Sequence, residues 1–134
     1  MKKTLFSIFF VFAVLLVFQK ANAQELYFCE SVTDGGQPVG SSSVFNIPSG
    51  GGYFYFLVKL PYNVNCTYAD YVIYKVDSYG NETYNTTISQ TDLKANWTWF
   101  WKKVTFYDAG FYRIDVLDCS SSLLATKYLT INYK

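Results

Sequence analysis

The stretch Asp108-Ala109-Gly110-Phe111-Tyr112 decides the fold, because it separates two strand-like runs near the end of the chain. The run before it covers residues 97–106 and is rich in aromatic side chains, and the run after it covers residues 111–118 and alternates apolar with polar positions. Asp and Gly between two such runs are typical of a turn. The sequence therefore predicts two consecutive strands that are joined by a short corner.

The rest of the chain also reads as short strands with turn signals between them. Further strands are predicted at 26–32, 44–47, 53–60, 71–77, 82–88 and 123–133. Residues 34–52 hold six of the eight Gly and two of the three Pro, which predicts a long connection with at most a short edge strand. No window shows a clean helical period, although 91–96 has room for one helical turn.

The corner also carries a family resemblance. Asp108-Ala109-Gly110-Phe111-Tyr112, followed by Arg113-Ile114-Asp115-Val116, resembles the last strands of small secreted bacterial immunoglobulin-like β-sandwich domains. The resemblance implies that the motif lies between strands E and F and that the Tyr112 hydroxyl bonds to nearby backbone. We therefore expect an all-β chain that forms an immunoglobulin-like antiparallel β-sandwich of seven to eight strands.

The N-terminus has the composition of a signal peptide. Lys2 and Lys3 precede an uncharged apolar run at 5–18, and Ala21-Asn22-Ala23 matches a signal peptidase site. The run is shorter than the roughly 20 residues that span a bilayer, which favours cleavage over a membrane anchor. We expect residues 1–23 to be a signal peptide and residues 24–134 to form a single domain in the periplasm, on the outer cell surface or in the medium.

Charge and composition exclude several classes of function. Three of the eleven Lys and Arg lie in the predicted signal peptide, which leaves eight against ten acidic residues. This balance gives no basic surface for nucleic acid or for an anionic membrane. The chain contains no His, so a Ser-His-Asp or Cys-His centre is impossible.

Carboxylate pairs offer the remaining route to catalysis. Asp115 with Asp118, or Asp70 with Asp77, would be the candidates for glycoside hydrolysis. Asp115 and Asp118 point to opposite faces of a strand, and surface carboxylates are ordinary on a small domain. We expect the chain not to be an enzyme and to need no cofactor.

The immunoglobulin-like resemblance implies which side chains of the 97–106 run face the core. It places Val104, Trp101 and Trp99 inward, which makes these two tryptophans core residues instead of an exposed platform for sugar rings.

The same resemblance implies an aromatic patch. If Phe54, Phe56 and Val58 face inward, their neighbours Tyr53, Tyr55 and Leu57 face outward, and Phe100 faces outward on the adjacent strand. Tyr53, Tyr55 and Phe100 are therefore the candidate binding residues. The patch either stabilises the sheet by ring packing or contacts a partner.

Three cysteines remain after the predicted signal peptide, in a compartment that permits disulfides. The immunoglobulin-like arrangement brings Cys66 and Cys119 to the same end of the sandwich, so their pairing is expected, at a stabilisation of roughly 4 kcal/mol. Cys29 is left over, either buried or available to a partner chain. A metal site made of three thiolates is the alternative, but the chain has no His and no Cys-x-x-Cys.

These observations lead to one functional expectation and one alternative. The first is an exported, non-catalytic binding or assembly module that contacts another envelope protein or a surface glycan. The alternative is a carbohydrate-binding module that uses surface aromatics. Nucleic acid is not expected as a partner, and no membrane span is expected once the signal peptide is removed.

Overall fold

The computed structural model describes residues 24–134, and this part of the chain is all-β, as predicted. The predicted signal peptide at 1–23 lies outside the described residues. None of the described residues forms a helix of the length and apolar character needed to cross a membrane. The strands are β1 (Glu25–Cys29), β2 (Ser31–Val32), β3 (Pro38–Val39), β4 (Val44–Ile47), β5 (Gly52–Lys59), β6 (Ala69–Val76), β7 (Glu82–Gln90), β8 (Trp99–Phe106), β9 (Gly110–Leu117) and β10 (Leu123–Tyr133).

Two larger sheets of unequal width face each other. One is antiparallel, with the order β1-β5-β8, and the other has five strands in the order β4-β10-β9-β6-β7. The second sheet is mixed, so the prediction of an entirely antiparallel sandwich is wrong: β4 runs parallel to β10, whereas the other strand pairs of this sheet are antiparallel. The narrower sheet thus ends at β8, whereas the wider sheet continues to β7.

The core lies between these sheets and is mostly aromatic and aliphatic. Phe56 of β5 contacts Tyr71 of β6 with ring centroids 5.5 Å apart, and Phe106 of β8 contacts Tyr112 of β9 at 5.2 Å. The Tyr112 hydroxyl donates a hydrogen bond to the Asp108 carbonyl oxygen at 2.8 Å, so the predicted backbone contact at the corner is confirmed. Because rings from both sheets interlock, the core fixes the position of one sheet relative to the other.

A short hairpin that joins the end of the predicted 26–32 strand to the predicted 34–52 connection was not expected from the sequence. β2 and β3 pair through Ser31 with Val39 and Val32 with Pro38, directly after β1. Each strand has only two residues, which is too short for an alternating pattern to be visible. Residues 91–96 form an irregular loop, so the possible helical turn at this place is wrong.

This hairpin lies over one end of the outer face of the narrower sheet. Gly36 is buried against the Trp99 ring, where a Cβ atom would come within 2.6 Å of ring atoms, and its φ of +81° also favours glycine. Lys59 Nζ donates to Gln37 Oε1 at 3.4 Å. Leu57 shares the outer face with Tyr53 and Tyr55, yet it is fully buried. Only the part of this face away from the hairpin is open to solvent.

The predicted faces of β8 are wrong for Trp99, Phe100 and Trp101, whereas Val104 faces the core as predicted. Pairing with β5 runs without a shift from Gly52 opposite Phe106 to Lys59 opposite Trp99, so alternate residues of β8 share a face throughout. Phe100 and Val104 therefore face the core, whereas Trp101 is 45% exposed. Val104 and Trp101 are three residues apart, so both could face inward only with an irregularity between them, and the pairing of β8 with β5 has none. The predicted inward set Phe54, Phe56 and Val58 is confirmed.

The cysteines are arranged as the immunoglobulin-like resemblance implied. Cys66 and Cys119 form a disulfide, which joins the loop before β6 to the turn after β9. Cys29 is a free, fully buried thiol on the outer face of β1, and its Sγ lies 3.7 Å from the Tyr55 carbonyl oxygen. Burial raises the pKa of this thiol.

Replacement of β8 residues tests the corrected faces. Phe100→Ala is expected to lower the free energy of unfolding by about 3 to 5 kcal/mol, because it leaves a cavity in the core. Trp101→Ala is expected to lower it by about 1 kcal/mol or less, since its ring packs on the surface. Urea unfolding of the two variants measures the difference. A larger loss for Trp101→Ala would contradict the face assignment.

Stability is expected to fall at alkaline pH. Burial raises the pKa of Tyr71, Tyr112 and Cys29 above the ordinary values of 10.0 for tyrosine and 9.0 for cysteine. Above these values the unfolded chain loses protons that the folded chain retains, so stability is complete below about pH 9 and decreases as pH rises. A group that titrates only in the unfolded chain contributes about 1.4 kcal/mol per pH unit.

Urea unfolding between pH 7 and pH 11 measures this decrease, and Tyr112→Phe is expected to make it less steep. A free energy of unfolding that stays constant up to pH 11 would contradict the prediction.

Candidate functional site

The open part of the outer face of the narrower sheet carries exposed aromatic side chains. Tyr53 is 59% exposed, Trp101 is 45% exposed and Tyr55 is half-buried between them. Tyr53 and Tyr55 are predicted binding residues that lie where the sequence placed them, whereas Phe100 is 1% exposed and belongs to the core. We call Tyr53, Tyr55, Trp101 and the adjacent Lys103 the aromatic surface.

The rings of the aromatic surface are held by their neighbours. Tyr55 lies 5.3 Å from Trp101 and 6.4 Å from Tyr53 between centroids, and both pairs are edge-to-face at 76° and 88°. Lys103 Nζ lies 3.9 Å from the centre of the Tyr53 ring, a cation–π contact. Because these contacts restrict the rings before any partner arrives, little conformational entropy remains to be lost on binding.

The open edge of β8 lies beside the aromatic surface. Within residues 24–134, strand β8 pairs only with β5, so one side of its backbone has no strand partner in this part of the chain. The Thr98 carbonyl accepts a hydrogen bond from Leu60 N at 2.7 Å, which shows that residue 98 points toward β5. Since backbone groups alternate along a strand, the N–H and C=O groups of residues 99, 101, 103 and 105 point toward the open edge.

Gln90 occupies part of this edge. Its Nε2 atom donates to the Trp101 carbonyl at 2.8 Å, and its Oε1 atom accepts from the Tyr71 hydroxyl at 2.7 Å. Gln90 is the one buried polar or charged residue among residues 24–134, at 4% exposure. Its side chain therefore satisfies one edge carbonyl and links the end of the wider sheet to the narrower one.

A groove of about 830 Å³ follows the same edge. It is lined by residues 90–92 and 96–103, which include the three tryptophans of the chain, Trp97, Trp99 and Trp101. Asp92 and Asn96 line it on the loop side, and Lys102 and Lys103 line it on the strand side. The groove thus combines apolar walls, hydrogen-bonding side chains and unpaired backbone.

Lys102 is the half-buried cation of this groove. It shares the inward face of β8 with Phe100 and Val104, but unlike them it is only half-buried and lines the groove. Among residues 24–134, Arg113 is the one basic residue that forms ion pairs. Lys102 therefore has no carboxylate partner within this part of the chain.

The carboxylates that were considered for catalysis have structural partners. Asp77 accepts hydrogen bonds from Tyr79 N and Asn81 N in the β6–β7 turn, and these bonds lower its pKa. Asp118 accepts from the backbone of Ser120 and Ser122 in the β9–β10 turn.

The other two candidates also bond to neighbouring strands. Asp70 accepts a hydrogen bond from the Ser89 hydroxyl, and Asp115 accepts from the Thr126 hydroxyl at 2.6 Å. No group of three or more potential metal ligands is found in the part of the chain from residue 24 onward.

A second cluster on the outer face of the wider sheet was missed in the sequence. The Arg113 guanidinium lies 4.3 Å from the centre of the Tyr74 ring and forms ion pairs with Glu82 and Asp115. The Tyr128 hydroxyl donates to Glu82 at 3.0 Å, which raises its pKa. These residues come from four strands, so no spacing along the chain could have revealed the cluster. Its charges are paired internally, and its cross-strand contacts stabilise the sheet.

The comparisons with known proteins identify no family for this chain. No protein-family model matches, and no curated protein matches. A similar solved structure is alkylpurine DNA glycosylase AlkC from Pseudomonas fluorescens, bound to DNA containing an abasic site analog. The sequences are 15% identical, the TM-score is 0.40, and the match covers 67% of this chain and 27% of that chain. A likeness at this level carries no argument about function.

The Gln90 link is expected to show energetic coupling between the sheets. Gln90→Leu leaves the Tyr71 hydroxyl buried without a partner and is expected to cost about 2 to 4 kcal/mol. Adding Tyr71→Phe removes the orphaned hydroxyl, so the double variant is expected to lose less stability than the sum of the single variants, by about 1 kcal/mol or more. Urea unfolding of the three variants measures the coupling, and additive losses would contradict it.

Proposed function

We propose that this chain is an exported, non-catalytic binding module with an immunoglobulin-like fold, and that the aromatic surface contacts another protein of the cell envelope. The observation that carries the proposal is the set of Tyr53, Tyr55 and Trp101, which are exposed or half-buried on a rigid sheet and held by their own contacts. Tyr and Trp are enriched among the residues that dominate binding energy in protein interfaces.

The proposed immunoglobulin-like fold draws support from the topology. The β1-β5-β8 sheet that faces the antiparallel β6-β9-β10 strands supports this proposal, because immunoglobulin domains pack a sheet with strands A, B and E against a sheet with strands C, F and G. The Tyr112 hydroxyl bond at the corner is a second supporting feature. Ile114 stands where immunoglobulin domains have the second Cys of their inter-sheet disulfide, and the Cys66–Cys119 bridge joins loops instead.

Proposed export draws support from the predicted signal peptide and from the disulfide. A Cys66–Cys119 bridge is compatible with an oxidising compartment. The periplasm, the outer surface and the medium all meet this condition.

A non-catalytic role draws support from the residue inventory. The sequence has no His, and Asp70, Asp77, Asp115 and Asp118 each accept hydrogen bonds from neighbouring turns or strands. A carboxylate that serves a turn is held away from the geometry that a general acid and base require.

The shape of the aromatic surface favours a protein over a sugar. Rings that stack on sugars present their faces to the ligand, whereas Tyr55 meets both neighbours edge-to-face at steep angles. Such an arrangement presents a mixture of ring edges, one ammonium group and hydroxyls, which suits the side chains of a protein partner.

Carbohydrate binding is a second candidate because the tryptophans are more exposed than the sequence predicted. Trp101 is 45% exposed, and Trp97 and Trp99 are half-buried along the groove with Asp92 and Asn96 close by. Aromatic walls with amide and carboxylate groups are suitable for a sugar.

Capture from envelope extract tests the proposed protein partner. The double variant Tyr53→Ser/Trp101→Ser is expected to lose at least tenfold of the captured partner, because it removes the centre of the surface while the core residues remain. The amounts captured by the variant and the unmodified chain are compared by quantitative mass spectrometry.

The matched control is Tyr79→Ser/Tyr84→Ser, which removes two exposed aromatics from other places at 90% and 59% exposure. It is expected to retain the partner. Equal capture by the unmodified chain and both variants would refute the aromatic surface as the binding site. Binding on a glycan array that is lost with Trp101→Ser, without any captured protein, would favour the carbohydrate candidate.

A further inference from the structure

We propose that the open edge of β8 binds an extended, acidic peptide segment of a partner protein by strand addition. This inference rests on the proposed binding function and names the chemistry of the ligand. The segment would become the fourth strand of the narrower sheet and would lie in the groove beside the aromatic surface.

The first argument is the unpaired backbone of β8. Residues 103 and 105 direct their N–H and C=O groups toward the open edge of β8, and no hydrogen bond from another strand reaches them in the described part of the chain. An added strand supplies complementary groups at the same two-residue spacing, which is how extended peptides bind to sheet edges. Seven residues of peptide, about 23 Å long, span the edge from 99 to 105.

The second argument is the space beside that edge. Strand β7 extends the wider sheet past β8, and Glu82 to Thr87 are exposed on both faces. Along Glu82 to Thr87, the inner face of β7 therefore covers no part of the narrower sheet in residues 24–134, whereas at its end Ile88 packs on the core and Gln90 bonds to β8. Strands in a sheet lie about 4.8 Å apart, so one added strand next to β8 would lie beneath this overhang and bury the inner face of β7.

The overhang also excludes the most direct pairing of two copies. If β8 of one copy paired with β8 of another, each β7 would extend over the shared edge by about one strand width. The two β7 strands would then clash sterically. A single extended segment has no overhanging sheet and fits without this conflict.

The third argument is charge. Lys102 lines the groove and has no carboxylate partner among residues 24–134, and Lys103 lies on the outer side of the same strand. Asp92 is the acidic residue that lines the groove. An acidic side chain on the added strand would form an ion pair with Lys102. This local positive charge contrasts with the slightly acidic balance of residues 24–134.

Gln90 shows how the edge accepts an amide. Its side-chain amide donates to the Trp101 carbonyl, the position that the N–H of an added strand would take. The free groups of Lys103 and Thr105 begin directly beyond it. A peptide therefore either pairs with β8 from Lys103 onward, or its own N–H replaces the Gln90 amide as the donor to the Trp101 carbonyl.

Selection of peptides tests this site. The purified protein is used to select from a displayed library of random linear nonapeptides, and the selected peptides are synthesised and measured by titration calorimetry. We expect them to carry at least one Asp or Glu. We expect Lys102→Glu to weaken their binding about tenfold, whereas the charge reversal Lys134→Glu, outside the groove, leaves it unchanged.

Backbone pairing is tested with proline and with N-methylation. Thr105→Pro removes an edge N–H that has no internal partner, so the fold is expected to persist while peptide binding is lost. Thr105→Val keeps the N–H and is expected to retain binding. Methylation of alternate peptide amides is expected to abolish binding in one register only. Amide hydrogen exchange at Lys103 and Thr105 is expected to slow when the peptide binds.

The outcomes separate this inference from the proposed function. Strand addition would be overturned if no peptide were selected. It would also be overturned if Thr105→Pro bound the peptides as well as Thr105→Val, or if N-methylation of neither set of alternate amides weakened binding. If Tyr53→Ser/Trp101→Ser no longer captures the partner while Thr105→Pro still does, the result supports the aromatic surface as the binding site and contradicts strand addition. Sugars that bind in the groove and protect no β8 amide would also overturn the inference.

Discussion

The hydrogen bonds of Gln90 are the contact on which the open side of the molecule depends. The two sheets differ in width, and at β8 the narrower sheet stops while the wider one continues to β7. At this side the Gln90 side chain joins Tyr71 of the wider sheet to the Trp101 carbonyl of the narrower sheet. A buried amide that is satisfied at both of its polar atoms specifies one relative position of the sheets. The groove keeps its shape because of this link.

The unequal width of the sheets explains why the candidate sites lie together. The aromatic surface and the edge groove share β8, one through its outward side chains and the other through its backbone and through Lys102. The β2–β3 hairpin covers the opposite end of the same face, which leaves Tyr53, Tyr55 and Trp101 as its open portion. A partner that bound the backbone edge would also lie next to these rings.

Local signals in the sequence predicted the parts of the fold that depend on local geometry. The Tyr112 corner, the inward residues of β5 and most strand positions follow from turn residues and alternation. The Cys66–Cys119 pair followed from the resemblance that the corner suggested. The faces of β8 could not be predicted, because either set of alternate residues in Trp-Phe-Trp-Lys-Lys can face the core. A lysine such as Lys102 is compatible with the inward face when its strand lies at the edge of the sheet. The β2–β3 hairpin and the Arg113 cluster were invisible because two-residue strands have no period and the cluster joins four strands.

The buried position of Cys29 has a consequence for oxidative folding. Three thiols permit three different single bridges, and only one of them is compatible with the finished sheet. When β1 docks on β5, the Cys29 thiol is enclosed on the outer face with its pKa raised, which makes it a poor nucleophile for exchange. The finished sheet thus protects the Cys66–Cys119 bridge from exchange with the third thiol.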